Sequence, residues 1–341
     1  MHRGLLAGIS MICAAAVLSG CSTGQKKFMT DTDGAKVIQI GHVNSAKADD
    51  QYQVLAVYFG EELAKASGGR FAVDILTDSI LGGERDMIEG MKMGTVDAAL
   101  ITNFSFGSFV PEFQTFDLPF LFTSRDEAYR ILDDETVMEG PKQKLYDDCD
   151  VKFLAWGEGG FRSVMNNIKP IESEGDLKGM KIRLPETAIY LDAFKAFASN
   201  PTTMAFSETY TAVQQRTVDG LELPISSFYA TGYGEVCSYL SLTEHFYSPA
   251  AIVISRQTWE SLSEEEKTWF QTAAVEAGRR QREFVKEIET DFIGKMEDMG
   301  VVVNSVEDKT GFIQASEPVY KTYRDTIGVE YVDMVFRKLG R

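Results

Sequence analysis

Arg183 stands in the run Gly179-Met180-Lys181-Ile182-Arg183-Leu184-Pro185. Lys181 to Leu184 alternates polar and apolar side chains as a short half-buried strand does. Pro185 has no amide hydrogen to give a ladder, so the strand ends just beyond Arg183. A guanidinium fixed at the end of a rigid element offers a planar fork of donors. That fork meets a carboxylate through two parallel hydrogen bonds, which the point charge of a lysine cannot match. The spacing predicts an anion clamp at Arg183, although the same residue would also serve as a strand-end ion pair in a chain with 51 acidic residues.

Other polar residues fall where a ligand would meet them. In a parallel sheet, ligands sit beyond the carboxyl ends of the strands. That rule selects His42, Glu84 and Asn103, each just past an expected strand. Arg162 and Glu222 follow further along the chain, Glu222 either structural or accepting from a hydroxyl. Catalytic signatures are missing. The three histidines are His2, His42 and His245, and there is no G-x-S-x-G elbow, G-x-x-x-x-G-K-S/T loop or H-E-x-x-H helix. A hydrolytic carboxylate pair stays open, because so acidic a chain always offers one. The net charge of −17, with no basic run, argues against nucleic acid. Without a C-x-x-C pair there is no case for structural zinc, and no other metal or cofactor is expected.

The elements that must position these residues follow in order. His2 and Arg3 precede an apolar run from Leu5 to Val17, too short for a comfortable membrane span, and Leu18-Ser19-Gly20-Cys21 looks like a bacterial lipobox. The expectation is a lipoprotein signal peptide over residues 1–20, removed to leave Cys21 lipidated, and a flexible tether over 21–36. Cys13 leaves with the leader, so Cys149 and Cys237 remain, either paired or as free buried thiols. From Val37 onward, strand, helix, strand, helix, strand implies an α/β fold with helices on both faces of a parallel sheet. Leu55, Phe59 and Leu63 mark one face of the first helix. Val151 to Trp156 is a further strand, and Gly159-Gly160 marks a crossing into a second domain. Ser263-Glu264-Glu265-Glu266 is a capping box opening a helix from about Glu264 to Met299. At 1.5 Å per residue that helix is roughly 50 Å long, more than one domain is wide.

Three motifs in one order carry a resemblance. Met180 to Pro185, Pro201-Thr202-Thr203-Met204-Ala205-Phe206-Ser207-Glu208 and Thr217-Val218-Asp219-Gly220-Leu221-Glu222-Leu223-Pro224 resemble the core signature of the solute-binding proteins of TRAP transporters, the DctP-like family. Gly69 through Leu81, Arg85, Gly90 and Gly94 to Asp97 resembles a further family segment, as does Phe116-Asp117-Leu118-Pro119-Phe120. The resemblance implies a two-lobed periplasmic-binding-protein-like fold with a long helix bracing both lobes: 37–159 and 249–288 as lobe I, 160–248 and 289–341 as lobe II. It also implies Arg183 on the carboxylate of an organic acid, with Arg162 beside it and Phe206 against the carbon skeleton. His42, Glu84, Asn103 and Glu222 would then meet hydroxyls, favouring a sugar acid such as a hexuronate or aldonate over a C4-dicarboxylate. TRAP membrane subunits would be the partners, a sensor protein being the other possible recipient. From a different class, a surface-anchored uronide hydrolase remains the alternative. Leu223 departs from the family's usual asparagine and cannot donate to a ligand.

Overall fold

The computed structural model describes residues 34–341; the leader over 1–20, the lipidation site at Cys21 and most of the tether lie outside the described residues. Among the described residues nine strands form one sheet: β1 (Lys36–Gly41), β2 (Phe71–Leu76), β3 (Ala98–Thr102), β4 (Val151–Asn166), β5 (Lys181–Leu184), β6 (Asn200–Thr203), β7 (Gly220–Pro224), β8 (Tyr239–Ser255) and β9 (Val302–Ser305). Their order is β2-β1-β3-β8-β4-β7-β5-β6, with β9 also on β8. β1 pairs parallel with β2 and β3, and β5 pairs parallel with β6 and β7. These parallel blocks are the two lobes. Between them lie β4 and β8, antiparallel to each other and to the flanking strands.

The strand expected over Val151–Trp156 continues to Asn166, because buried residues run unbroken through Gly159-Gly160. The crossing between lobes is therefore made inside a strand. Its pairing with β8 slips at Phe153/Ala155, Glu158/Gly160 and Arg162/Val164, and Gly160 takes the left-handed φ of +106° that the middle irregularity needs. Bulges of this kind bend a strand and re-aim its side chains.

Helix Gln51–Ser67 buries Leu55, Phe59 and Leu63 as the four-residue spacing predicts, against Ile40, Leu100 and Ile252 of the sheet. Each such side chain contributes about 1.5–3 kcal/mol. Helix Glu264–Asp298 closes the same core with Phe270, Ala273, Ala274 and Ala277, then reaches the second lobe, where Phe292 and Met296 meet Leu221, Phe228 and Tyr233. Ser263 and Glu266 form its capping box. At Gly278 the helix lies so close to β4 that a Cβ would come 2.3 Å from the Trp156 carbonyl oxygen. One turn later the buried Gln281 amide grips β4: Oε1 accepts from Glu158 N at 2.8 Å, and Nε2 donates to Glu158 O at 2.6 Å. The Glu158 carboxylate accepts from Arg125 Nε at 2.6 Å and from the Tyr129 hydroxyl, and Arg125 also pairs with Glu289. Helix and crossing strand are locked at the point where both change lobe.

The end of the chain departs from the expected division. Helix Val329–Leu339 packs on helices Arg125–Leu132 and Glu135–Cys149, with Tyr331 donating to Val137 O at 3.0 Å and Lys338 to Asp134 Oδ2 at 2.5 Å. Its apolar residues Val332, Val335 and Leu339 bury there, so the C-terminus returns to segments placed in lobe I. Cys149 and Cys237 are both free, buried thiols.

Candidate functional site

A cleft of ≈ 570 Å³ opens between the lobes, walled on one side by Asn44, Tyr52, Glu84, Thr102, Phe104 and Ser105, and on the other by Arg162, Arg183, Phe206, Leu223 and Ser227. Strand β7 sits between the two arginines. In register, Arg162 of β4 faces Pro224, and Arg183 of β5 faces Leu221. Both guanidiniums thus arrive at the same end of the sheet, where β7 stops at its proline.

Arg183 is 2% exposed. Its Nε and Nη2 donate to the Met204 carbonyl at 3.1 and 2.5 Å, and the Nη1 end of the fork is uncommitted. The Phe206 ring centroid lies 6.0 Å away. Among the described residues no carboxylate pairs with it. Burial pushes its pKa down to about 10; Tyr233 and Glu222 pull the other way, and the neighbouring Arg162 charge adds to the fall. The group stays cationic at neutral pH, but its charge is badly solvated. A carboxylate entering the cleft would supply the missing counter-charge.

Arg162 is buried in the opposite condition. Its Nε and Nη2 donate to the two Glu222 carboxylate oxygens at 2.5 and 2.7 Å, and Nη1 donates to Ser248 Oγ at 3.3 Å. Burial alone would lower its pKa, but the Glu222 charge overrides that and holds it above the usual value. Burial likewise raises Glu222, and Arg162 and His245 outweigh it, leaving the carboxylate ionised. His245, its pKa lowered by burial, is neutral. Its Nε2 lies 3.3 Å from a Glu222 oxygen, which can only accept, so Nε2 carries the hydrogen and Nδ1 accepts from Thr243 Oγ1 at 2.7 Å.

The expected ligand contacts divide accordingly. Arg183, Arg162, Glu84 and Phe206 line the cleft together. His42, Asn103 and Glu222 do not, each for a reason of one residue. At the end of β3, Thr102 faces the cleft, and Asn103 turns inward and donates to Phe113 O at 2.9 Å. Past β1, Val43 and Asn44 reach the cleft, whereas His42 meets Gln53 Oε1 at 3.0 Å, and burial pushes its pKa down to about 4. On β7, Leu223 lines the cleft and Glu222 serves Arg162. On β7 successive residues face opposite sides, so a shift of one inverts the assignment; Asn103 and His42 lie just past their strands, where the chain has already turned. Tyr52, Asn44 and Ser105 are cleft residues that sequence reasoning missed. The strand-end rule had indicated the loop holding Asn44, and Tyr52 lies in the first turn of the helix that follows it.

Comparison with known proteins fits this geometry. The family described as bacterial extracellular solute-binding protein, family 7 (DctP), matches residues 40–326. The 2,3-diketo-L-gulonate-binding periplasmic protein YiaO of Escherichia coli K12 is 34% identical over 292 residues, 86% of this chain and 88% of that one. A TRAP periplasmic solute-binding protein from Polaromonas sp. JS666, solved bound to D-erythronate, superposes with a TM-score of 0.84 at 35% identity, covering 88% of this chain and 98% of that one. Another from Sulfurospirillum deleyianum, solved with succinate, gives 0.81 at 29% identity, with 88% and 97% covered. Among the described residues no helix is long and apolar enough to cross a membrane. With its two lobes, bracing helix and interlobe arginine site, the chain belongs to the family 7 extracellular solute-binding proteins, the DctP-like binding proteins of TRAP transporters.

Proposed function

We propose that the protein captures a small sugar acid, its carboxylate on Arg183, and delivers it to the membrane subunits of a TRAP transporter without chemical turnover. One observation carries this reading: Arg183 is a buried guanidinium that, among the described residues, has a carbonyl but no carboxylate to answer its charge. Arg162 would add hydrogen bonds without much net charge, and Phe206 would cover the carbon skeleton. Relatives named for or solved with diketogulonate and erythronate support the class of cargo. The succinate-bound relative favours the second reading, a C4-dicarboxylate in the same role. Lobe I would comprise 37–159 and 249–288 with the last helix docked on it, and a lipid on Cys21 would anchor the exported protein in the periplasm or at the outer face of the cytoplasmic membrane.

A thermal-shift screen of hexuronates, aldonates and dicarboxylates checks the proposal. A true cargo at 100 times its dissociation constant adds about 2.7 kcal/mol to stability. No shift with any carboxylate, or equal shifts with the parent uncharged sugars, would dismiss it.

A further inference from the structure

The two crossing strands carry different side chains on their two faces. Phe161 and Arg162 follow one another on β4 and pair with Tyr247 and Phe246 of β8, with no slip between them. Successive strand residues face opposite ways. Arg162 looks into the cleft, where Ser248 of β8 accepts from it, and Phe161 looks out behind, its ring centroid 5.2 Å from that of Tyr247. Behind the strands lies a second hollow, of ≈ 610 Å³, with Phe161 in its lining. One wall is helix Thr310–Ile327, which turns Ile313 and Glu317 to the hollow. That helix packs on helix Ala188–Ala196 between β5 and β6, Tyr323 Oη donating to Asp192 Oδ2 at 3.0 Å, and so belongs with the second lobe. The facing wall holds Phe122 and, from the last helix, Phe336, both on segments packed with the first lobe.

At the edge of this hollow the run Leu118-Pro119-Phe120 pins the lobes together. The Phe120 ring lies 6.5 Å from that of Phe197 and 6.2 Å from that of Phe312, both on the side of the second lobe. Its amide donates to His245 O at 2.9 Å, and the Pro119 carbonyl accepts from Tyr320 Oη at 2.5 Å. Phe120 has a φ of +56°, and Glu244, just before His245, one of +49°. A bulky residue in the left-handed region is strained and persists only where its surroundings hold it. Strain at both ends of one interlobe hydrogen bond marks a contact that the fold keeps fixed. The hollow beside that contact is unfilled, and Ile313 is 51% exposed.

We propose that this hollow is the clearance through which the cleft opens, with the Phe120 contact as its fulcrum. Glu84, Arg162 and Arg183 are almost wholly buried, so the lobes are shut on the cleft. A rotation about β4 and β8 that parts the cleft walls brings together the walls on the opposite face. Helix Thr310–Ile327 then swings toward Phe122 and Phe336. The hollow is open while the cleft is shut and is used up as the cleft opens. Bulk placed in it is accommodated in the shut form and obstructs the open one. Such bulk raises the shut fraction and tightens binding in proportion, without touching the cargo. Ile313 and Glu317 are positioning residues in this sense: their size sets how far the lobes part. The inference needs the lobes to move and is independent of which acid they hold.

The test is the distance between spin labels on Glu89→Cys and Glu208→Cys, exposed positions on the helices that start at the cleft from either lobe, read by pulsed electron resonance on the empty protein. A Cys13→Ser, Cys21→Ser background keeps the labels on those sites, Cys149 and Cys237 being buried. Ile313→Trp and Glu317→Trp, each first shown to unfold cooperatively, should move the empty protein toward the short distance of the shut form. Gln314→Trp, exposed on the same helix but outside the hollow, should leave it unmoved. In titration with D-erythronate or D-galactonate, the two filled variants should lower Kd about 3- to 10-fold, chiefly through slower release. If the labels shift while neither acid binds, the clearance stands and the reading of the cargo falls. Distances unchanged or lengthened in both filled variants, or shortened equally by Gln314→Trp, overturn the proposal. So does an unfilled protein that is already wholly shut when empty.

Discussion

The two arginines flanking β7 are equally buried and differently answered. Arg162 holds a carboxylate of its own chain in both arms, and that carboxylate is steadied in turn by a neutral histidine. Arg183 holds one carbonyl. The difference separates a charge that the fold has already settled from one that the fold leaves for a ligand. A paired buried charge contributes to a unique geometry, and its loss strands the partner. An unpaired one lowers stability in the empty protein and returns that free energy on binding.

The largest effect should come from Arg162→Ala. It would leave Glu222 buried with His245 as its remaining side-chain partner, at a cost of about 3–5 kcal/mol in unfolding free energy. Urea denaturation would show it, and pairing the change with Glu222→Leu should recover most of the loss. If the single replacement proves neutral, the ion pair is not what holds this end of β7.

Arg183→Ala should do the reverse. Binding should weaken by about 2–5 kcal/mol, roughly 30- to several-thousand-fold, in titration with whichever acid the screen identifies. Stability of the empty protein should be unchanged or slightly raised, because an uncompensated buried cation is gone. A fall in stability comparable to that of Arg162→Ala would erase the distinction between the two residues.

Much of this was legible in the residues. Helix Gln51–Ser67, the boundaries of helix Glu264–Asp298 and the position of Arg183 at a strand end follow from periodicity, a capping box and a proline, all local signals. The errors share a physical origin. A strand end is known from sequence to within a residue or two, and the face of a side chain inverts with each step. Glu222 was therefore chosen where its strand neighbour Leu223 reaches the cleft, and Asn103, already the first residue of a helix, where Thr102 at the end of β3 does. The unbroken length of β4 was hidden because Gly159-Gly160 signals a break, while the pairing with β8 that carries the strand through is a long-range fact. Nothing local shows that Glu222 prefers Arg162 to a ligand.

Asp117 extends the comparison to anions and gives the smallest of the expected effects. Glu222 meets a guanidinium, whereas the equally buried Asp117 has no well-formed hydrogen bond among the described residues. Burial pushes its pKa to about 8, against weaker pulls from Asn103, Arg162 and Tyr190. An acid with a folded pKa above its unfolded value binds its proton more tightly when folded. Its contribution is complete below about pH 4 and is lost as pH rises through 8. Glu222, with its folded pKa lowered, works in the other direction and loses its contribution as pH falls through the carboxylate range. Asp50, raised by burial to about 7, slopes the same way as Asp117. Asp117→Asn should therefore flatten part of the decline in stability between pH 5 and 8, with a gain of about 1 kcal/mol or more at pH 8 and little change at pH 5. Urea midpoints of both proteins at pH 5, 6.5 and 8 would decide it. Parallel curves would mean that Asp117 is ionised in the folded protein and has found a partner after all, which would place it with Glu222 instead of opposite it.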